Sequence, residues 1–402
     1  DTWKSRGLGD VYKRQPQWVM VKRTNGSGQD WVMVDSMRGM FSGVSQTPHL
    51  RANSNNAEQD TSYYRIDISS GTGFAPFTAD NGLNGNGDEY IYIAFRRPDG
   101  YVGKPPELGT GAFAMDTGNN TSHSFDAGFP VDMGLYRRPS QSESWYVGNR
   151  LMGPKELQTN LTSAEFTAGN NFDSNTAWAT SYNSTYQSWM WKRHAGFDVV
   201  AYEGTNAAGL QIAHSLNAVP GMIWIKNRDA SENWAVYHKG LNGGTNPEDY
   251  AIRLNSSSGE FNNNEWWNDT APTSTHFTLG IQGEVNGFEK SMIAMLFASV
   301  DGISSVGSYS GSSSDVTINL GFQPRFMIVK AYNSASGNQR WQVMDTTRGM
   351  AAGATATNRI YLDDSQAQQA GPYVTSVSST GITLKTGYSY SNTNNYEYIY
   401  YC

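Results

Sequence analysis

Cysteine is almost missing from this 402-residue chain, since the single copy is Cys402, the last residue. That excludes a disulfide framework and any metal site built on cysteine. Charged residues make up only 16%, below the usual share. Ala, Leu, Glu and Lys nowhere keep helical spacing for more than about two turns. Long apolar runs are absent too: "SMIAMLFASV" at 291–300 is the longest and is strand-sized, too short to cross a bilayer as a helix. Net charge is −7, a sign that argues against non-specific nucleic-acid binding. No secretory leader is visible.

Glycine is plentiful at 42 copies and aromatics reach 13%, with many Asn, Ser and Thr. Aromatics suit pleated surfaces, and Gly and Asn supply the left-handed turn positions between short strands. The expected fold class is therefore all-β.

One unit recurs. "PQWVMVKRTNGSGQDWVMVDSMRGM" at 16–40 returns as "PRFMIVKAYNSASGNQRWQVMDTTRGM" at 324–350. Looser copies are "PGMIWIKNRDASENWAVYHKGL" at 220–241 and "PVDMGLYRRPSQSESWYVGNRL" at 130–151. Each reads as Pro, an apolar strand ending in a base, a polar turn and a Trp-led strand. The tryptophans are Trp31, Trp145, Trp234 and Trp341, and this spacing suits tandem β domains better than a solenoid. After each Trp strand comes "LRANSNNAE" (50–58), "LQTNLTSAE" (157–165), "IRLNSSSGE" (252–260) or "IYLDDSQAQ" (360–368). Each unit closes on an aromatic strand, such as "YIYIAF" or "YEYIYY". Three units carry an opening strand that the first lacks. The expected organisation is about four tandem antiparallel β-sandwich (jelly-roll-like) units at 16–100, 101–195, 196–302 and 303–402, the first truncated at its start, the second divergent and the fourth truncated at its end. Short linkers predict a stack rather than beads on a flexible string.

The most basic stretch is "DTWKSRGLGDVYKRQ" at 1–15, with four bases and two acids. Without it the rest carries −9 against −7 for the whole. It reads as a basic arm until its "DVYKRQ" is set beside a transposase-type sequencing-library adapter, whose end AGATGTGTATAAGAGACAG translates to those residues. Residues 1–15 resemble that adapter, and Cys402 fits the same adapter entered from the other side. The expectation is that 1–15 are non-native, pack on nothing, and that the chain is an internal fragment.

The repeated pattern, clearest in "GFDVVAYEG", "AHSLNAVPGMIWIKNRDASENWAVYHKGL" and "WWNDTAPTSTHFTLG", resembles repeat domains of unknown function in tail or virion structural proteins of tailed bacteriophages from marine metagenomes. The resemblance runs from about 16 to 400 and is weakest at 101–195, where "DMGLYRRP" replaces the usual apolar strand plus Lys. It implies a virion location, other tail proteins as partners, and a homo-oligomer in the full-length protein. It carries over no catalytic residue.

Candidate chemistry is sparse. His214 and His238 are conceivable metal ligands, yet no other unit repeats them: position 238 corresponds to Asp35 and Asp345. His49, His123, His194 and His276 form no motif, so no metal and no cofactor are expected. Asp35 and Asp345 stand three residues before Arg38 and Arg348; the plain reading is a turn whose Asp caps backbone N–H groups and pairs with the Arg. "DNGLNGNGDE" at 80–89 fails the calcium-loop signature and reads as a hairpin turn. Asn160 and Asn268 head N-x-S/T triplets that Asn, Ser and Thr richness alone explains. No nucleophile elbow, zinc-hydrolase helix or phosphate loop is present, so no enzyme is expected.

Aromatics give the candidate ligand surface. Trp266 and Trp267 are adjacent, so on a strand they would face opposite sides, one to the core and one to solvent. Tyr182, Tyr186, Trp189 and Trp191 group similarly. Beside Asn and Asp, such faces could stack on host-surface glycans; the plainer alternative is core filling. The candidate binding residues are Trp266, Trp267, Trp189, Trp191 and Tyr186.

The leading reading is a phage tail or tail-fibre-like virion fragment acting as rigid spacer and host-surface adhesion module. The alternative is a bacterial surface or secreted carbohydrate-binding array, located extracellularly or at the cell surface. A tail-borne glycan depolymerase ranks below both, because no facing carboxylate pair is evident.

Overall fold

A computed structural model describes residues 16–43, 46–60, 64–68, 73–76, 81–95, 106–333, 339–351 and 356–402. The stretch 1–15, expected to pack on nothing, lies outside the described residues. Helix is confined to short turns, and every strand pairing is antiparallel, as an all-β sandwich requires.

Each large sheet draws all its strands from one of the four expected segments. In 196–302 the order is Phe197–Glu203, Ser291–Phe297, Met222–Asn227, Ala235–His238, Tyr250–Arg253, Phe261–Asn262. The opening strand lies at one edge, the closing strand beside it, and the Pro-led and Trp-led strands follow. The sheets of 101–195 and 303–402 repeat this order, from Phe113–Thr117 to Phe166–Thr167 and from Val306–Ser310 to Gln369–Gly371. In 16–100 four of the six described strands form the large sheet, ordered Leu50–Arg51, Val32–Asp35, Trp18–Arg23, Tyr90–Phe95, so among the described residues the closing strand Tyr90–Phe95 is an edge.

A smaller sheet accompanies each large one, in 16–100 the pair Ile66–Asp67 and Ala75–Pro76. Leu210–Ala213 pairs with His276–Leu279, Phe125–Asp126 with Ala177–Trp178, and Val316–Asn319 with the hairpin Val374–Ser378 and Gly381–Leu384. Strand periodicity then divides the side chains into two cores. From Ser291–Phe297, Met292, Ala294 and Leu296 enter the sandwich under the small sheet. Ile293, Met295 and Phe297 face the other way into a second core shared with the same faces of the 101–195 and 303–402 sheets, against which 16–100 sets the opposite side of its own sheet, Val19, Val21, Val32 and Val34. Strands buried on both faces need near-continuous apolar sequence, which is why "SMIAMLF" and "MIWIK" do not alternate with polar residues.

That second core replaces the expected stack with a ring. Trp145, Trp234 and Trp341 are buried in it, and each donates its indole N–H to a carbonyl of a different segment. Trp234 bonds Gln158 O at 2.9 Å, Trp341 bonds Arg253 O at 2.9 Å, and Trp145 bonds Tyr361 O. The three acceptors are equivalent, the second residue of "LQTN", "IRLN" and "IYLD". Segment 196–302 thus donates to 101–195, 303–402 to 196–302, and 101–195 back to 303–402. Backbone bonds follow the same circuit: Glu165 N to Arg228 O at 2.8 Å, Glu260 N to Tyr332 O at 2.8 Å, and Gln368 N to Pro139 O at 2.7 Å. A linear stack of three has two junctions; the third closes a ring with near-threefold equivalence.

Candidate functional site

The interface between segments is the most elaborated polar site among the described residues, and it grows from the repeat. Each Trp-led strand starts with its Trp N–H held by an Asn or Asp side chain: Asn53 for Trp31 at 2.9 Å, Asn160 for Trp145, Asn255 for Trp234 and Asp363 for Trp341, each at 3.0 Å. That bond fixes the indole at the sheet margin, aimed at the neighbouring segment, and gives Asn160 a structural task. The base ending the Pro-led strand then lies over the ring. Arg137 sits 5.4 Å from the Trp145 centroid and Lys330 5.5 Å from Trp341, within cation–π range. Arg137 donates across the boundary to the carbonyls of Asp364, Ser365 and Gln366, and Lys330 Nζ to Ser256 O at 3.0 Å. Burial pulls Lys330 down to about 7. In 196–302 the role shifts by two residues: Lys226 stays within its own turn, and Arg228 crosses to Glu165 at 2.7 Å.

Asp345 accepts the Arg348 N–H at 3.0 Å and its guanidinium Nε at 2.8 Å, and Asp35 holds Arg38 in the same way. Both are capped turns with an internal ion pair, the plain reading of the sequence. Asp345 has an added partner, Trp189 Nε1 of another segment at 2.9 Å. Burial works against its charge, but Arg348, Thr347 and Trp189 outweigh it and hold the carboxyl below the usual range.

His214 and His238 each make packing contacts rather than a shared site. His238 is fully buried; its Nδ1 accepts Gly240 N–H at 3.0 Å and its Nε2 lies 3.2 Å from Tyr400 O across a boundary. With Nδ1 an acceptor, Nε2 carries the proton and the ring is neutral; burial lowers it to about 3. His214 instead stacks near Phe277 and meets Thr273 O. The two histidines belong to separate contacts, and no group of metal-binding side chains occurs among the described residues. In the 81–89 turn, Tyr90 OH donates to Asn81 O and accepts from Gly85 N, so the loop closes on a phenol.

The aromatic candidates are placed differently from the expectation. Trp266 and Trp267 lie on a helix, α1 (Asn264–Trp267), not a strand. Asn263 caps it by accepting Glu265 N–H at 2.9 Å. Both rings are buried, at 4% and 2% exposure: the helical offset of about 100° lets neighbours share an inward arc. Trp266 Nε1 donates to Glu284 at 3.0 Å, and Trp267 packs edge-on to Tyr237. Trp189 and Trp191 are buried in the shared core, Trp191 bonding Tyr401 OH at 3.2 Å. Four of the five candidates therefore fill cores and present no open stacking face. Tyr186 is half-buried, with Arg138 5.2 Å over its ring and Glu143 3.5 Å from its hydroxyl.

Behind Tyr186 lies a network that the sequence did not signal. Tyr182 OH and Tyr136 OH are 2.6 Å apart, and Tyr136 donates to Glu156 at 2.9 Å. Glu156 also accepts from Asn170 and is fully buried. Burial, only partly offset by the Tyr136 bond, pushes it up to about 7. Glu156 follows no motif, being one acid in the strand Lys155–Gln158, so only the tertiary packing reveals it.

A family model described as "Domain of unknown function (DUF7483)" matches residues 12–98 and 114–402, and the chain belongs to that family. No curated protein and no solved structure matches.

Proposed function

We propose that this member of the DUF7483 family is a structural module of a phage virion protein, part of a tail or tail-fibre-like assembly, built from four copies of one repeat. The observation that supports this reading is where the repeated residues go. Trp145, Trp234 and Trp341, their Asn or Asp partners and the carbonyls they reach all serve contacts between segments. Repetition spent on mutual packing is what a rigid spacer needs. The test is immunogold labelling and peptide mass spectrometry of purified particles from a phage encoding the chain. Signal on the tail is expected; absence from intact particles overturns the reading.

A second reading, adhesion to host-surface glycans, is favoured by the partly exposed group of Tyr186, Arg138 and Glu143, which joins an aromatic face to hydrogen-bonding charges. A glycan array should then show binding that Tyr186→Ala abolishes. Silence across the array leaves the spacer role alone. The same surface on a bacterial exterior would serve a carbohydrate-binding array, which a secretion signal on the full-length gene would favour.

A further inference from the structure

Segment 16–100 has the equipment of the ring, yet its ring-facing side is bare. Register fixes the equivalence: Met20 pairs with Ile93 as Trp224 pairs with Met295 and Ile328 with Tyr401. Trp18 pairs with Phe95 as Met222 pairs with Phe297. Met295, Phe297 and Tyr401 are 0%, 0% and 5% exposed, whereas Ile93 and Phe95 are 44% and 59% exposed. Trp18, Met20 and Trp31 are only partly buried, whereas Trp145, Trp234 and Trp341 are at most 1% exposed. The opposite side of the same sheet is finished, with Val19, Val21, Val32 and Val34 buried. A large exposed apolar patch with an ordered frame marks an interaction surface.

We propose that this face closes a three-membered ring with the same face of two further copies of this chain. The contact in the other segments is head-to-tail, an indole N–H reaching a carbonyl on the next unit, and such a heterologous contact either closes or grows into a filament. Here it closes at three. Segment 16–100 carries both halves. The Trp31 indole N–H bonds no described residue, while its backbone N–H is oriented by Asn53 as in the other units. Arg51 O, the counterpart of Gln158 O, accepts Ser54 N–H just as Gln158 O accepts Leu161 N–H. Gln158 O also takes the indole of Trp234, so Arg51 O has the same lone pair to offer the Trp31 of a neighbouring copy. A unit with donor and acceptor needs only itself, repeated three times.

Sedimentation equilibrium of the full chain at tens of micromolar tests this. A species of three times the 44.3 kDa chain mass is expected. The Ile93→Asp/Phe95→Asp variant should be monomeric with an unchanged far-UV circular dichroism spectrum, because both side chains are exposed in the single chain. Phe288→Asp, at an exposed position elsewhere, should stay trimeric. A monomer, a dimer through the Tyr90–Phe95 edge, or open-ended association of the unaltered chain overturns the proposal. So does a trimer surviving the double substitution, or unfolding of that variant, which would show the face already packed. A monomeric result leaves the structural role above to its own test on particles.

Discussion

Gly134 explains why the second segment departs from the repeat. Counted back from the closing base, it stands where Ile223 and Met327 stand in the other segments, and a Cβ there would lie 2.1 Å from the Trp178 ring. Trp178 is fully buried and fills the volume that an aliphatic side chain occupies elsewhere. Gly148, on the next strand, faces the same ring at 3.1 Å. The pattern "DMGLYR" is thus a repacked sandwich, with one large indole on two glycines. Gly134→Ala is expected to destabilise by about 1–3 kcal/mol, the usual cost of overpacking, read as a lower urea midpoint at unchanged slope. At the ring, Trp341→Phe keeps most of the apolar bulk and removes the N–H that reaches Arg253 O. Unfolding free energy should fall by about 1–3 kcal/mol, as for a buried acceptor losing its donor; no measurable loss would show that the bond contributes little.

Elements show where sequence reading succeeds and where it stops. The Pro-led and Trp-led strands were legible because the same frame recurs along the sequence, and the Asp–Arg turns because Asp before a polar turn has a local mechanism. Helix α1 was not legible. "NNNEWWNDT" has no apolar period, and a single helical turn leaves too short a window to measure one. Its signals are an Asn at the cap and the left-handed Asn268 that ends it, of which the sequence drew attention only to Asn268, as the head of an N-x-S/T triplet. Capping suits one prediction: Asn263→Ala should cost about 0.5–2 kcal/mol, seen as a lower melting temperature. The shared core left a trace in the unbroken apolar runs of the closing strands. Its geometry left none, because the acceptors at Gln158, Arg253 and Tyr361 are backbone carbonyls that any residue supplies.

At the scale of the molecule, buried neutral groups tie the ring to pH. His238 falls to about 3 and His194 to about 4 through burial, against 6.5 in the unfolded chain. Between those values the unfolded state binds more protons, so stability is lost as pH falls from about 6.5 toward 3. Glu156, raised to about 7 from 4.5, acts the other way: the folded state holds its proton, and acidification from 7 to 4.5 favours folding. Protonation would fall on His238 Nδ1, which accepts the Gly240 N–H within its own segment, while the Nε2 bond to Tyr400 O across the boundary favours the charged ring and only partly offsets burial. His238→Gln is expected to flatten the acid limb of the stability–pH curve; an unchanged slope would place the acid sensitivity elsewhere.

Segments 101–195, 196–302 and 303–402 close on themselves, and closure rests on the contact between the first and last of these. Glu143 N and Ser365 O meet there at 2.8 Å, between residues far apart in sequence. Spin labels placed at Ser142→Cys and Ser365→Cys in a Cys402→Ser background would report the separation by pulsed electron paramagnetic resonance. The ring predicts one narrow distribution at contact-range distances. A distribution centred a full segment's width away would mean a linear array, and would contradict the ring.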